Sequence, residues 1–236
     1  MIAVIGDVHG CFLTLEKLVE QIKTKYPDID LYCVGDLVDR GNFSYEVLEF
    51  VKDNNIIFTP GNHDYMFYYH IKEPTNPIGK PWIYNGCEPT LKSYLGRWEK
   101  MNDHLDMIKS APLIIDHPDC FISHAGISKT FDEILQDNLL KNPQELDKLL
   151  RLNIFNEDGI HWNRVQLLNI GKLQVIGHTH RKEIYFDKLA NALYIDTTAY
   201  GKNKLSAVIT HENELVEVID QKTCSEDVHP KWICYS

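Results

Sequence analysis

The 236-residue chain lacks three things: an apolar run long enough to span a bilayer, an excess of basic residues, and a cysteine pair at CxxC spacing. Each absence removes a class of protein. A transmembrane helix needs about 20 consecutive apolar residues, so no membrane role is expected. With 24 Lys and Arg against 34 Asp and Glu, the formal charge of −10 repels the backbone of duplex nucleic acid and anionic lipid. Bulk nucleic-acid binding is therefore not expected. The six cysteines, Cys11, Cys33, Cys87, Cys120, Cys224 and Cys234, show neither zinc-ribbon nor disulfide-framework spacing, and thiols in a reducing cytosol are the simplest reading. The first residues carry no basic leader and run straight into a strand-like segment, which predicts a cytoplasmic protein. What the chain does have is acid together with 11 histidines. Carboxylates and imidazoles are the donors that divalent metal ions take.

The N-terminal half repeats one pattern: a short apolar run, a glycine with Asp, Asn or His beside it, then an amphipathic helix. Ile2–Ile5 leads into Gly6-Asp7-Val8-His9-Gly10 and a helix with Leu15, Leu18, Val19 and Ile22 on one face, stopped by Pro27. Residues 31–34 lead into Gly35-Asp36-Leu37-Val38-Asp39-Arg40-Gly41 and a helix with Phe43, Val47, Phe50 and Val51 on one side. Residues 56–58 lead into Pro60-Gly61-Asn62-His63-Asp64. Continuous apolar strands alternating with helices predict buried parallel strands. Between about 65 and 110 the pattern breaks into Pro-, Gly- and aromatic-rich sequence, read as a cap-like insertion of loops and short helices in a single domain of 236 residues. In it, Trp82, Tyr84 and Tyr94 are read as internal packing. A helix is predicted from Asn142-Pro143-Gln144-Glu145, with Asn as N-cap. Later strand-like runs, from 173 to 219, have little helix between them and predict a second sheet with antiparallel pairs. The tail from Gln221 is either a loose end or a strap on the body.

Five segments place Asp, Asn or His just after a strand: Asp7/His9, Asp36/Asp39, Asn62/His63, His124 and His178/His180. In open α/β folds the carboxyl ends of neighbouring strands form the ligand crevice, so these residues are expected to converge. A mixture of Asp, His and Asn suits Mn, Fe or Zn better than calcium. Any one of these residues alone reads better as a turn or a helix cap. Together and in order, with their glycines, they read as a metal site.

Taken jointly, Gly6-Asp7-Val8-His9-Gly10, Gly35-Asp36-Leu37-Val38-Asp39-Arg40-Gly41, Gly61-Asn62-His63-Asp64, His124-Ala125-Gly126 and Gly177-His178-Thr179-His180 resemble the signatures of the calcineurin-like metallophosphoesterases. The Asp39-Arg40 pair resembles the phosphoprotein phosphatase branch, in particular its short bacterial and phage-type serine/threonine phosphatases. The resemblance implies an α/β (α+β) fold, a four-layer αββα sandwich with a dimetal site at the strand ends. It implies that Asp7, His9 and Asp36 hold a first divalent ion, with Asp36 bridging to a second held by Asn62, His124 and His178. Manganese is the expected metal, with iron or zinc as alternatives. It implies His63 as general acid oriented by Asp39, and Arg40, Asn62 and Arg164 as phosphate-binding groups. The implied reaction is in-line attack of a metal-bridging hydroxide on phosphorus.

The chain departs from that branch at Asp64, where Glu is usual, at Cys87 and Tyr200-Gly201-Lys202, where glycines are usual, and at His180, where Pro is usual. His180 resembles the second histidine of the wider superfamily. Residues two apart on an extended segment face the same way, so His180 is expected to join His178 as a metal ligand. The expected function is a phosphomonoesterase acting on phosphoserine or phosphothreonine of a phosphoprotein. The alternative, motivated by Asp64 and His180, is a hydrolase of dinucleoside polyphosphates, such as diadenosine tetraphosphate, or of another small phosphoester such as a nucleotide or RNA-end phosphate, with phosphodiesterase activity. A non-catalytic phosphate-binding protein would have eroded ligands, and none is missing here.

Overall fold

The structure is a computed structural model that describes residues 1–133 and 142–232. Two five-stranded sheets stack face to face. The first has the order β10-β9-β1-β2-β3 and the second β4-β5-β6-β8-β7. In the first, β1 (Ile2–Ile5), β2 (Asp30–Cys33) and β3 (Ile57–Phe58) run parallel. In the second, β5 (Cys120–Ser123), β6 (Gln174–Ile176) and β8 (Ala192–Tyr194) run parallel, with β4 (Ile114–His117) and β7 (Tyr185–Asp187) antiparallel at its edges.

The period of two along β1 builds the layers. Ile2 and Val4 point between the sheets and pack with Ile122, Val175, Leu193 and Val208, while Ala3 and Ile5 point to the helices. Helix α1 (Phe12–Lys25) buries Leu15, Leu18, Val19 and Ile22, the predicted face, and α2 (Ser44–Asp53) buries Val47, Leu48 and Val51. Each such fully buried side chain contributes about 1.5–3 kcal/mol. On the second sheet α6 (Pro143–Leu152), capped as expected by Asn142 Oδ1 on the Glu145 amide, adds Leu146 and Leu150 to the core that includes Ile114 and Phe121. No helix among the described residues is long and apolar enough to cross a membrane.

One reading of the later strands is corrected, and one strand was not foreseen. The hairpin β9 (Lys204–His211) and β10 (Glu214–Lys222) joins the first sheet beside β1, not the second. Strand β4 falls on Ile114-Ile115-Asp116-His117, a mixed run with no alternation to reveal it.

The segment from 65 to 110 is mostly helical and is not peripheral. It holds α3 (Asn62–Lys72), α4 (Cys87–Ser93) and α5 (Met101–Ser110), and its Tyr65, Phe67, Trp82, Tyr94 and Leu105 belong to the same apolar core as β1 and α1. Trp82 and Tyr94 pack internally as expected, whereas Tyr84 is 78% exposed.

The tail is a strap. Helix α1 has no side-chain cap of its own at Cys11, and Asp227 supplies one from the far end of the chain. Its Oδ1 accepts from the Leu13 amide at 3.0 Å, and its Oδ2 accepts from the Thr14 amide at 2.8 Å and the Thr14 hydroxyl at 2.5 Å. The Asp227 carbonyl in turn accepts from the Asn42 amide, which ties the strap to the loop carrying Asp39 and Arg40. An N-terminal cap of this kind contributes about 1–2 kcal/mol, and the buried amides left behind add to the loss. Asp227→Ala is therefore expected to lower the urea midpoint by an amount corresponding to about 2 kcal/mol. An unchanged midpoint would show that the strap is not structural.

Candidate metal centre

All six parallel strands end on one side of the sandwich, and each delivers a polar residue there. Asp7 and His9 follow β1, Asp36 follows β2, and Asn62 and His63 open α3 after β3. From the second sheet come His124 after β5, His178 after β6 and Asp196 after β8. All eight are buried.

Backbone shape, not only sequence order, aims them inward. His9, Asp36, Asp39, Arg40 and His178 all have positive φ, between 47° and 73°. That conformation costs a non-glycine residue about 1–2 kcal/mol and collects at functional sites. Two glycines serve a different need. A Cβ on Gly61 would lie 2.0 Å from Asp36 Oδ1, and one on Gly177 would lie 1.8 Å from Asp7 Oδ1. Both carboxylates press against bare backbone.

Asp36 stands at the centre. Its Oδ2 faces His9 Nε2 at 3.4 Å, and its Oδ1 faces His124 Nε2 at 3.6 Å while accepting from the His63 amide at 2.9 Å. Asp7, Asp36 and His124 form one compact donor group, and His9, Asp36 and His63 another. Asn62 Oδ1 lies 3.1 Å from His124 Nε2 and 2.9 Å from His178 Nδ1. The Nδ1 atoms of His9 and His124 donate to the carbonyls of Val38 and Val34, which leaves each Nε2 lone pair for the site. The donor set fits a divalent pair on two further observations. Asp7 Oδ1 and His178 Nε2 are buried without a hydrogen-bond partner. And the Arg40 guanidinium sets Nη1 3.0 Å from His9 Nε2 and Nη2 2.8 Å from His63 Nε2, so a cation already sits against these lone pairs.

The electrostatics say the same. Burial, with smaller opposing contributions from Arg40 and the His63 amide, holds Asp36 at about 7. Burial, then Asp196 and Asp36, raises Asp7 well above the ordinary carboxylate range. Burial, then the Arg40 charge, pushes His9 and His63 well below theirs, and burial brings His124 to about 4. Crowded carboxylates that resist ionisation beside imidazoles that resist protonation are what a cation relieves.

Around this centre Asp39 is clamped. Its Oδ2 takes the His63 Nδ1 proton at 2.7 Å, while Trp82 Nε1 donates to both carboxylate oxygens, at 3.0 and 2.9 Å, and the Thr90 hydroxyl donates to Oδ1 at 2.8 Å. The clamp comes from the 65–110 segment, whose Gly86 carbonyl also accepts from the Arg40 amide. Arg40 stacks over Tyr200 at 4.4 Å. Sequence reading did not foresee the parts played by Trp82, Thr90, Asp196 and Tyr200. Each lay in a segment that could have signalled it: Trp82 and Thr90 in the run from Trp82 to Leu91 and Asp196 in Ile195-Asp196-Thr197, both similar to the same branch, and Tyr200 in Tyr200-Gly201-Lys202.

Two expected site residues, His180 and Arg164, stand apart, and so does Asp64, which the sequence singled out as a departure. His180 is exposed and belongs to neither donor group, because His178 is left-handed and the segment is not extended, so the same-face argument does not apply. Arg164 is exposed at the rim. Asp64 does not face the crevice. It is buried, caps α3 through the Gly61 amide at 2.8 Å and holds the Leu37 amide at 2.9 Å, so it locks two site loops together rather than reading a substrate.

The sequence profile of the calcineurin-like phosphoesterases matches residues 1–182. The chain belongs to this family. The family uses a dimetal site, and the donor groups above are its candidates here. A symmetrical bis(5'-nucleosyl)-tetraphosphatase from Actinobacillus pleuropneumoniae serotype 3 (strain JL03) is 35% identical over 129 residues, covering 53% of this chain and 44% of that protein. The chain thus spans less than half the length of this curated relative. The crystal structure of a candidate diadenosine tetraphosphatase superposes with a TM-score of 0.60 at 19% identity, covering 94% of both chains. A cold-active protein-tyrosine phosphatase from a psychrophilic Shewanella gives 0.58 at 19% identity, covering 94% of this chain and 80% of that one. At such identities these likenesses speak for the fold alone.

Two outcomes test the geometry. Because the folded-state pKa of Asp36, about 7, lies above its unfolded value of about 4, the metal-free fold loses this group's contribution as pH rises from about 4 through 7. A cation must displace a proton at pH 6 but not at pH 8. Saturating Mn²⁺ should therefore raise the melting temperature more at pH 8 than at pH 6, and Asp36→Asn should remove most of that shift; a metal-independent melt would contradict the site. In the second test, Trp82→Phe removes a donor from Asp39 and should lower kcat about ten-fold with little change in KM, shifting the pH–rate profile as His63 loses its fixed partner. An unaltered profile would leave Trp82 as packing alone.

Proposed function

We propose that this protein hydrolyses dinucleoside polyphosphates, a reaction that cleaves a phosphoanhydride between two nucleotide halves. The reading is carried by the 35% identical relative named for that activity, and the crevice is consistent with it. The phosphoprotein phosphatase reading rested on Asp39-Arg40. That pair is present, but it addresses phosphate and does not distinguish a protein from a nucleotide.

Asp7, His9 and Asp36 would hold one divalent ion and Asp36, Asn62, His124 and His178 the other, one Asp36 oxygen facing each set. Bound there, they would supply activation of the attacking water and neutralisation of phosphate charge. The chain's own residues do the rest. Arg40, poised on Tyr200 between His9 and His63, presents a planar guanidinium that matches two phosphate oxygens. Its move onto phosphate frees His63 Nε2 and withdraws a charge that, together with burial, keeps the ring unprotonated. His63, held by Asp39 through Nδ1, would then take up a proton at Nε2 from solvent and give it to the departing phosphate oxygen as the water oxygen bonds to phosphorus, losing its own proton to solvent, and the P–O bond breaks. Central cleavage of a tetraphosphate gives two nucleoside diphosphates. The exposed Arg164 would meet a further phosphate of the substrate.

With Mn²⁺, the purified protein should convert diadenosine tetraphosphate to ADP, and His63→Asn should lower kcat/KM about 10²- to 10⁴-fold with the melting temperature retained. Turnover of a phosphoserine peptide without turnover of diadenosine tetraphosphate would reverse the assignment in favour of a phosphoprotein.

A further inference from the structure

Arg164 also lines a cavity of about 810 Å³ whose other residues have no role in the chemistry above. Among the described residues, its apolar walls are Ile78 and the flanking prolines of the 65–110 segment on one side and Phe155, Trp162 and Val165 on the other. Phe155 and Val165 are 54% and 52% exposed, unusual for apolar side chains of this size that face a concavity. The volume falls within the range of small-molecule sites.

The polar groups of its lining carry opposite signs. The cation is Arg164. Burial is the leading influence on Asp36, His124 and His178, but the Arg164 charge acts on all three, so its guanidinium lies within electrostatic reach of the metal centre. The Trp162 backbone likewise sits beside the His178 ring. The acids are Glu157 and Asp158, the latter accepting from the Thr130 hydroxyl at 2.5 Å. The lining thus joins one cation near the metal centre, apolar and aromatic walls, and two carboxylates.

We infer that this cavity is a purine-base subsite, with Phe155 and Trp162 as the apolar faces and Asp158 as the acceptor for the amino group of the base. The lining offers a partner for each part of a nucleotide: Arg164, within reach of the metal centre, for phosphate, the aromatic faces for a flat π-system, and a carboxylate for an N–H donor. A second anionic group entering the cavity would be repelled by Glu157 and Asp158. The inference rests on the dinucleoside polyphosphate reading and extends it, since it says where the selectivity for a nucleotide resides.

The test requires no turnover, so it stands or falls separately from the reaction. Trp162 fluorescence, or calorimetry with Mn²⁺ present, is used to compare AMP with ribose 5-phosphate, which keeps the phosphate and sugar and lacks the base. Stacking and apolar contact predict that AMP binds about ten-fold tighter. Phe155→Ala should bring that ratio close to one, Phe155→Tyr should retain it, and Asp158→Ala should reduce it for AMP but not for purine riboside monophosphate, which has no amino group. Equal affinity for AMP and ribose 5-phosphate in the unaltered protein, a ratio untouched by Phe155→Ala, or tighter binding of a phosphoserine peptide than of AMP would each overturn the subsite.

Discussion

Burial of several carboxylates within a few ångströms of one another is the constraint from which the rest of the molecule follows. Asp7, Asp36 and Asp196 cannot all ionise in a dry site without cations, and Asp36 at about 7 shows how far the balance is pushed. The fold concentrates them because six parallel strands, three per sheet, end at one edge, and it tolerates them because Gly61 and Gly177 leave room that any Cβ would fill. Left-handed backbone at His9, Asp36 and His178 is the local cost of the same convergence. A fold that accepts so much desolvation and strain in one place is arranged for something that relieves both, and the inward lone pairs of His9 and His124 point to divalent ions.

A second tier of contacts keeps this tense centre in register. Asp39 serves two sides: it takes the His63 proton on one and is saturated by Trp82 and Thr90 on the other. With every lone pair committed, it has little freedom to swing, and the imidazole it holds inherits that order. Asp64 joins the β2 and β3 loops, and Asp227 joins the first helix to the end of the chain while its carbonyl holds the loop of Arg40. These three aspartates use the same chemistry, a carboxylate accepting several N–H or O–H donors, to fix loops instead of ions.

Which of these aspartates does which was only partly legible in the sequence. The convergence of Asp7, His9, Asp36, Asn62, His63, His124 and His178 was readable because each follows a strand with a glycine beside it, and strand ends meet in this class of fold. The buried face of α1 was readable from its period, that of α2 only in part: Val47 and Val51 are buried as read, but Phe43 precedes the helix, Phe50 is half-buried and Leu48 is buried in addition. Asp64 was read as a departure that favours the dinucleoside polyphosphate alternative, and its position in the motif could not say that its oxygens are spent on the Leu37 and Gly61 amides. His180 misled for a geometric reason: the spacing of two means a shared face only in extended backbone, and His178 is left-handed. Trp82 and Thr90 lie 43 and 51 residues from Asp39, and no local pattern announces a partner so distant. The placement of β9 and β10 beside β1 is decided by pairing, which period alone does not encode.

The acidity of the chain bears on how such a site chooses its substrate. At −10, long-range attraction of a polyphosphate is weak, and screening over about 8–10 Å confines the protein's field to its immediate surface in any case. On the proposed reading selection occurs at contact, where the local charge would differ in sign from the global one: Arg40 and Arg164, with the divalent ions the donor groups would hold, would make the mouth cationic, and Glu157 and Asp158 would add acid to the base subsite. A phosphate without a group to occupy the apolar interval gains only the first half of this arrangement. A nucleotide half gains both, which is how an acidic protein can favour a polyanion over the much more abundant simple phosphates around it.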